Sequence, residues 1–249
     1  MKKLLVRADD LGYSEGVNYG IAKTVIDGII RSVGLMTNMP AAEHGLRLLK
    51  GVTACYGQHT NICVGTPLTD PQKIPSITTP SGQFKSSREY RASTEDFVKL
   101  NEVILEIEAQ YNRFVELTGR QPEYFEGHAV RSENFFQGLR IVAQRHNLKL
   151  CEMSVDGKPV TVGKTLVYGH MASLGKNYDP FQELQKTVES AHDGACDMFV
   201  CHPGYLDAYI LKTSSLTIPR ALEVEMACDP KTRAWLAQQP IELVTYNDL

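Results

Sequence analysis

The chain has 249 residues, and its 26 Lys+Arg against 29 Asp+Glu leave a formal net charge of −3 with the seven histidines neutral. So near a balance gives no basic footprint for nucleic acid and no attraction to an anionic membrane surface. With 43% hydrophobic and 22% charged residues the composition excludes a disordered or fibrous chain, and the length suits one barrel-sized domain over residues 1–249.

Lys3–Ala8 is a short continuous apolar run, the pattern of a strand buried on both faces. The run breaks at Arg7 with Asp9 and Asp10 close behind, too short for a signal peptide's apolar region. No stretch of about 18 apolar residues follows anywhere, which predicts no membrane span. Ser14 is placed to cap a helix on which Val17, Ile21, Val25 and Ile29 recur at helical spacing. A strand at Ser32–Thr37, a helix at Ala41–Leu49 and a strand at Thr53–Ile62 come next. Residues 63–92 then form a Thr/Pro/Ser-rich segment, long for a plain connection, which reads equally as a substrate lid or as a floppy excursion.

Ser93-Thr94-Glu95-Asp96 resembles a capping box opening a long helix to Leu117, with Gly119 ending it. The pattern continues with strand Tyr124–Gly127, helix Glu133–His146, strand Leu148–Ser154, strand Thr165–Gly169, helix Pro180–His192 and strand Asp197–Cys201. Pro219 and Pro230 each suit a first helical turn, and Ile241–Thr245 closes the chain as a strand. About eight strands alternating with helices predict an α/β fold with a parallel sheet, either a TIM-like (β/α) barrel or a doubly wound sheet. Six cysteines without a C-x-x-C pair read as buried free thiols in a reducing cytoplasm.

Polar residues gather at the predicted strand ends. Asp9-Asp10 follows the first strand, His59 lies in the third, Glu126-Gly127-His128 ends the fourth, and Gly169-His170 and His202-Pro203-Gly204 end later ones. His44, His146 and His192 fall on predicted helices instead. Each residue alone has an ordinary structural explanation, whether a capping turn, a core histidine or a tight turn. Their coincidence at equivalent strand ends points to a site, because in a parallel barrel those ends converge on one face. A carboxylate with two imidazoles suits a divalent metal, water completing the shell. A second carboxylate and a further histidine supply the acid and base for metal-assisted amide hydrolysis.

Ala8-Asp9-Asp10-Leu11-Gly12, Gly57-Gln58-His59-Thr60-Asn61, Gly127-His128 and Cys201-His202-Pro203-Gly204 resemble, in order and spacing, the motifs of the YdjC-like (ChbG/HpnK) carbohydrate deacetylases. The similarity runs from Lys3 to Tyr246. It implies a (β/α) barrel of the glycoside hydrolase/deacetylase type that removes N-acetyl groups from amino sugars in small oligosaccharides with one divalent metal ion, magnesium or zinc. Carried over by position, Asp10, His59 and His128 resemble the metal ligands, Asp9 the general base, and His202 the histidine that assists the leaving group. A homodimer is a further family expectation. The chain departs at Glu126–Arg131, where many members carry two more histidines, and Arg131 there would suit an anionic group such as a sugar phosphate. Two other functions stay open: a glycosidase for phosphorylated disaccharides, with Asp9 and Glu126 as its carboxylate pair, and a sugar-binding barrel without turnover.

Overall fold

The computed structural model describes residues 1–153 and 157–249. In chain order the elements are β1 (Lys2–Leu11), α1 (Glu15–Ile26), β2 (Ser32–Leu35), α2 (Ala42–Leu48), β3 (Cys55–Thr60), α3 (Ser87–Ala92) and α4 (Leu100–Thr118). They continue with β4 (Tyr124–Gly127), α5 (Glu133–Arg145), β5 (Val160–Val162), β6 (Thr165–His170), α6 (Pro180–Glu189), β7 (Cys196–Cys201), α7 (Ala208–Thr213), α8 (Ile218–Cys228), α9 (Pro230–Leu236) and β8 (Ile241–Val244). Local chemistry sets several of these boundaries. The Ser14 hydroxyl accepts from Val17 N–H to cap α1, and Gly119 closes α4 at a φ of 71°, a left-handed conformation that costs glycine little.

Two expected elements differ. The capping box lies at Ser86 and Glu89, opening the short α3, while Ser93–Asp96 stays outside any helix and α4 begins at Leu100. Asp96 is drawn off because its carboxylate accepts from Ser132 Oγ and Asn134 N–H, bracing the start of α5 instead. The expected strand Leu148–Ser154 is reduced to one parallel bridge, Phe125 to Leu150; Ser154 itself lies outside the described residues. In its place a short antiparallel pair joins β5 to β6, which the sequence pattern did not predict.

The sheet runs β4-β3-β2-β1-β7-β6-β5, and every pair in it except β5–β6 is parallel. β7 pairs with β1 along Lys3–Ala8. On the other edge of β1, β8 takes Lys2–Leu5 and β2 takes Arg7–Leu11. A TIM barrel would insert its last strand between β1 and the strand before it; here β7 already fills that place. The sheet is nevertheless strongly curled. Cys151, paired to the outer edge of β4, stands five strand spacings from β7, roughly 24 Å on a flat sheet. Its sulfur lies 4.0 Å from that of Met198 on β7. Tyr124 of β4 likewise stacks on Tyr246, just past β8, with ring centroids 3.7 Å apart. The fold is thus a mixed α/β half-barrel; among the described residues no strand pairing joins β4 to β5 to close it.

The interior holds an apolar plug that includes Leu5, Met198, Val200, Val244 and Tyr246. A larger core packs α1 and α2 against the outside of the sheet, as the apolar stripe of α1 requires. The 63–92 segment is built rather than floppy. Ile74, Ile77, Phe84 and Tyr90 are buried in a core shared with α4 and α5. Glu106 and Glu102 of α4 accept its backbone N–H groups at Leu68, Thr69 and Ser76. No helix among the described residues is long and apolar enough to cross a membrane.

Candidate metal centre

Strand β1 delivers two acids to opposite tasks. Asp9 points into the half-barrel, and Asp10 takes a φ of 77°, a left-handed conformation that costs a non-glycine residue about 1–3 kcal/mol and marks functional sites. The turn that follows closes on Gly12, at a φ of 98°, where a Cβ would lie 2.9 Å from the Met36 carbonyl oxygen. Gly12 N–H also donates to Asn18 Oδ1 at 2.6 Å, tying the turn to α1.

β3 and β4 bring the histidines in. His59 is register-paired with Glu126, and its Nδ1 is hydrogen-bonded to the Glu126 carboxylate, leaving Nε2 free to face Asp10. His128 lies one residue past β4, fixed by its N–H donating to the Thr60 carbonyl at 2.8 Å. Gly34 of β2 makes room between them: a Cβ there would come within 3.1 Å of Glu126 Oε1 and His59 Cβ and 3.3 Å of Asp9 Oδ1.

Three atoms converge. Asp10 Oδ1 lies 3.2 Å from His59 Nε2 and 3.1 Å from His128 Nδ1, and the two nitrogens are 2.8 Å apart. The other Asp10 oxygen accepts from Arg220 Nη2 at 2.7 Å, whereas Oδ1 is buried without a hydrogen-bond partner. Ligands at about 2.1 Å in adjacent octahedral positions lie about 3 Å apart, so the triangle has the dimensions of one face of a divalent coordination shell. The field fits as well. Burial opposes charge on both imidazoles, but Glu126 and Asp9 hold the His59 pKa well above the ordinary histidine range, and Asp10 pushes His128 up to about 9. The 2.8 Å between their facing nitrogens admits one proton and not two. A cation shared by both is what this geometry accommodates.

Asp9, Glu126 and His59 Nδ1 form a second acidic group directly behind the first. It already holds a cation, Arg7. The guanidinium grips Asp9 at both oxygens (2.6 and 2.7 Å), approaches Glu126 Oε2 at 3.7 Å and donates to Tyr246 Oη at 2.8 Å. Burial alone would raise the Glu126 pKa; His59 and Arg7 outweigh it and hold the carboxyl below its ordinary range.

His202 follows β7 directly. Its loop rests on α1, where a Cβ on Gly20 would lie 2.4 Å from Gly204 Cα. Burial pushes its pKa down to about 4, and its Nδ1 is buried without a partner. Asp9, Asp10, His59, His128 and His202 therefore share one end of the sheet, as their strand-end positions predict. His170 does not join them. It faces the outside of the sheet, where its Nε2 lies 2.8 Å from Asp197 Oδ1 with His192 Nδ1 3.1 Å from the same oxygen. Arg131 is exposed.

Sequence reasoning missed three buried members. Arg7 reads as the residue that breaks an apolar strand; Arg220 and Glu223 stand in an ordinary amphipathic helix with no motif around them. The one available signal was charge at positions where the periodicity requires core.

The YdjC-like protein family matches residues 3–238. The chain belongs to that family. Carbohydrate deacetylase 2 of Listeria innocua serovar 6a is 30% identical over 99% of this chain and 98% of its own length. A carbohydrate deacetylase of Geobacillus stearothermophilus is 30% identical over 98% and 96%. Among solved structures, a candidate cellobiose-phosphate cleavage protein of Enterococcus faecalis V583 superposes with a TM-score of 0.84 at 22% identity, covering 99% of this chain and 98% of that one. That likeness is one of fold: the open, curled sheet is a shared architecture.

Proposed function

We propose that this YdjC-like protein is a divalent-metal-dependent hydrolase that removes the N-acetyl group from N-acetylated amino sugars in small oligosaccharides. The observation that carries the reading is the convergence of Asp10 Oδ1, His59 Nε2 and His128 Nδ1, with Oδ1 buried and unpartnered. The named activity of the deacetylase relatives points the same way. These three atoms would hold the metal, and two nitrogens with one oxygen suit zinc better than magnesium, which prefers oxygen ligands. When bound, the ion supplies Lewis acidity toward the acetyl carbonyl and lowers the pKa of water.

The protein's own groups do the rest. Glu126 fixes the ring of His59 so that Nε2 faces Asp10 Oδ1, where it would help hold the ion. Asp9 accepts a proton from the attacking water; Arg7 holds both its oxygens, and each oxygen keeps a lone pair for that proton. His202 gives a proton to the departing nitrogen. Burial keeps its imidazole neutral at rest and makes the protonated ring a strong acid, suited to an amine leaving group. The proton taken up by Asp9 passes through solvent to the neutral His202 ring, which delivers it to nitrogen as the C–N bond breaks. The amine leaves, and the product acid gives its remaining proton to solvent and departs as acetate.

A glycosidase would need Glu126 as a proton donor with a raised pKa. Its carboxyl is instead held low and is bonded to His59, which favours the deacetylase over that alternative. A cytoplasmic homodimer remains part of the proposal, and light scattering of the purified protein measures its subunit count. The decisive experiment is acetate release from short chito-oligosaccharides by metal-loaded protein, by chelated protein, and after return of zinc or magnesium. Release that stops with chelator and returns with metal supports the reading. No release with any metal sinks it, and reducing-sugar release that persists in chelator would replace it with the glycosidase.

A further inference from the structure

We propose that helix α8 is a clamp that fixes His202 against Asp10, with Glu223 and Arg220 as its positioning residues. The two side chains stand three residues apart and so share one face of the helix. Together they grip both main-chain polar groups of His202. Glu223 Oε2 accepts from His202 N–H at 2.6 Å, and Arg220 Nη1 donates to the His202 carbonyl at 3.3 Å. The same guanidinium donates to Asp10 Oδ2 at 2.7 Å and to the Leu216 carbonyl at 2.9 Å. One rigid planar group therefore sets the distance between the acid-donating loop and the metal-facing carboxylate.

The loop needs such a clamp. β7 ends at Cys201, so His202 has left the sheet, and Pro203 has no N–H to contribute. Burying an arginine and a glutamate is expensive unless each is fully bonded. Arg220 is 2% exposed and Glu223 fully buried, and three of their five side-chain hydrogen bonds run to His202 or Asp10. The remaining Glu223 oxygen accepts from Tyr178 Oη at 2.8 Å, so the segment between β6 and α6 braces the clamp from behind. Glu223 touches neither the three metal-facing atoms nor the space before them; its influence passes through the His202 backbone.

The inference rests on the deacetylase reading for its kinetic test, and a spectroscopic test keeps it separate. In metal-loaded protein, Glu223→Ala should lower kcat about 10–100-fold, the effect of misplacing a catalytic group by about 1 Å, with KM and metal affinity within about twofold of wild type. Glu223→Gln keeps an oxygen for the His202 N–H and should restore most of kcat. A merely structural role predicts lower thermal stability with kcat per folded molecule unchanged, and that result overturns the clamp. So does a loss of metal affinity in step with kcat. If Glu223→Ala does not fold, Tyr178→Phe removes one hydroxyl and should lower kcat several-fold at constant KM; unchanged kcat again overturns it. Nitrogen-15 imidazole spectra of His202 serve even if wild type releases no acetate. One ring environment in wild type that broadens by exchange in Tyr178→Phe or Glu223→Ala supports the clamp, and identical spectra overturn it.

Discussion

Two groups of histidine and carboxylate lie on opposite faces of the same sheet, and their carboxylates are met differently. Asp10, His59 and His128 face the hollow of the sheet, where the buried Asp10 Oδ1 lies 3.2 and 3.1 Å from two imidazole nitrogens without a well-directed hydrogen bond. His170, His192 and Asp197 face outward, and there both carboxylate oxygens are satisfied, by two imidazoles and the His192 N–H. Tyr168 stacks on His192 at 3.6 Å and completes an ordinary structural cluster. Residue types are alike in the two, and His170, like His59 and His128, comes at the end of its strand, whereas Asp197 lies at the start of β7 and His192 just before it. The difference lies in whether the protein supplies enough donors. A carboxylate whose two oxygens both have directed donors needs nothing more, whereas Asp10, with Arg220 on one oxygen only, keeps the other open to a cation.

That contrast can be broken most directly by deleting imidazoles on each side. His59→Ala or His128→Ala should weaken zinc binding more than about 100-fold by titration calorimetry and bring acetate release to background; His170→Ala should change neither. Equal losses on both sides would erase the distinction. Removing the proton donor separates chemistry from metal binding: His202→Ala should lower kcat by about 10²–10⁴ while metal content by elemental analysis stays at wild type. The outer partner comes next. Glu126→Gln should weaken metal affinity about 10–100-fold, less than loss of a ligand, because the ring of His59 loses its orientation and not its nitrogen.

The smallest effects belong to the outward cluster. Asp197→Ala should cost about 1 kcal/mol in denaturant unfolding, since it removes the acceptor of the partly buried His192 N–H, with acetate release per folded molecule unchanged. Burial alone would raise the Asp197 pKa, but the bonds from His170 and His192 hold it below the ordinary carboxylate value. Its unfolded form therefore binds protons more readily than its folded form. The stability it contributes is present above about pH 4 and is lost as pH falls below that. Wild type and Asp197→Ala should converge in stability in acid; a gap that widened there would refute the sign.

Much of this cluster could be read from the sequence because its acids and histidines lie where strands end, and strand ends are marked by the place where an apolar run gives way to charge. Asp9-Asp10 after Lys3–Ala8 and His202 after Asp197–Cys201 are of that kind. His170 carried the same mark and misled, because a strand's pleat turns alternate side chains to opposite faces and a small error in register reverses the assignment. The long segment after β3 was ambiguous for another reason. Its apolar residues have no regular period, so only their packing on α4 shows that it is built.

The sequence alone determined the alternating α/β order and the parallel core, which follow from periodicity, and it marked Asp9, Asp10, His59, His128 and His202 as strand-end polar residues. The metal-ligand roles of Asp10, His59 and His128 came from the family resemblance. Tertiary structure decided how the last strand is placed, the roles of Arg7, Arg220 and Glu223, and which histidines share a site. Each of these depends on contacts between positions far apart in the chain: Arg220 reaches Asp10 across 210 residues, and Arg7 reaches Tyr246 across 239. Charge balance in a buried site is a sum over all such neighbours. No local pattern carries it until the sheet has curled and brought them together.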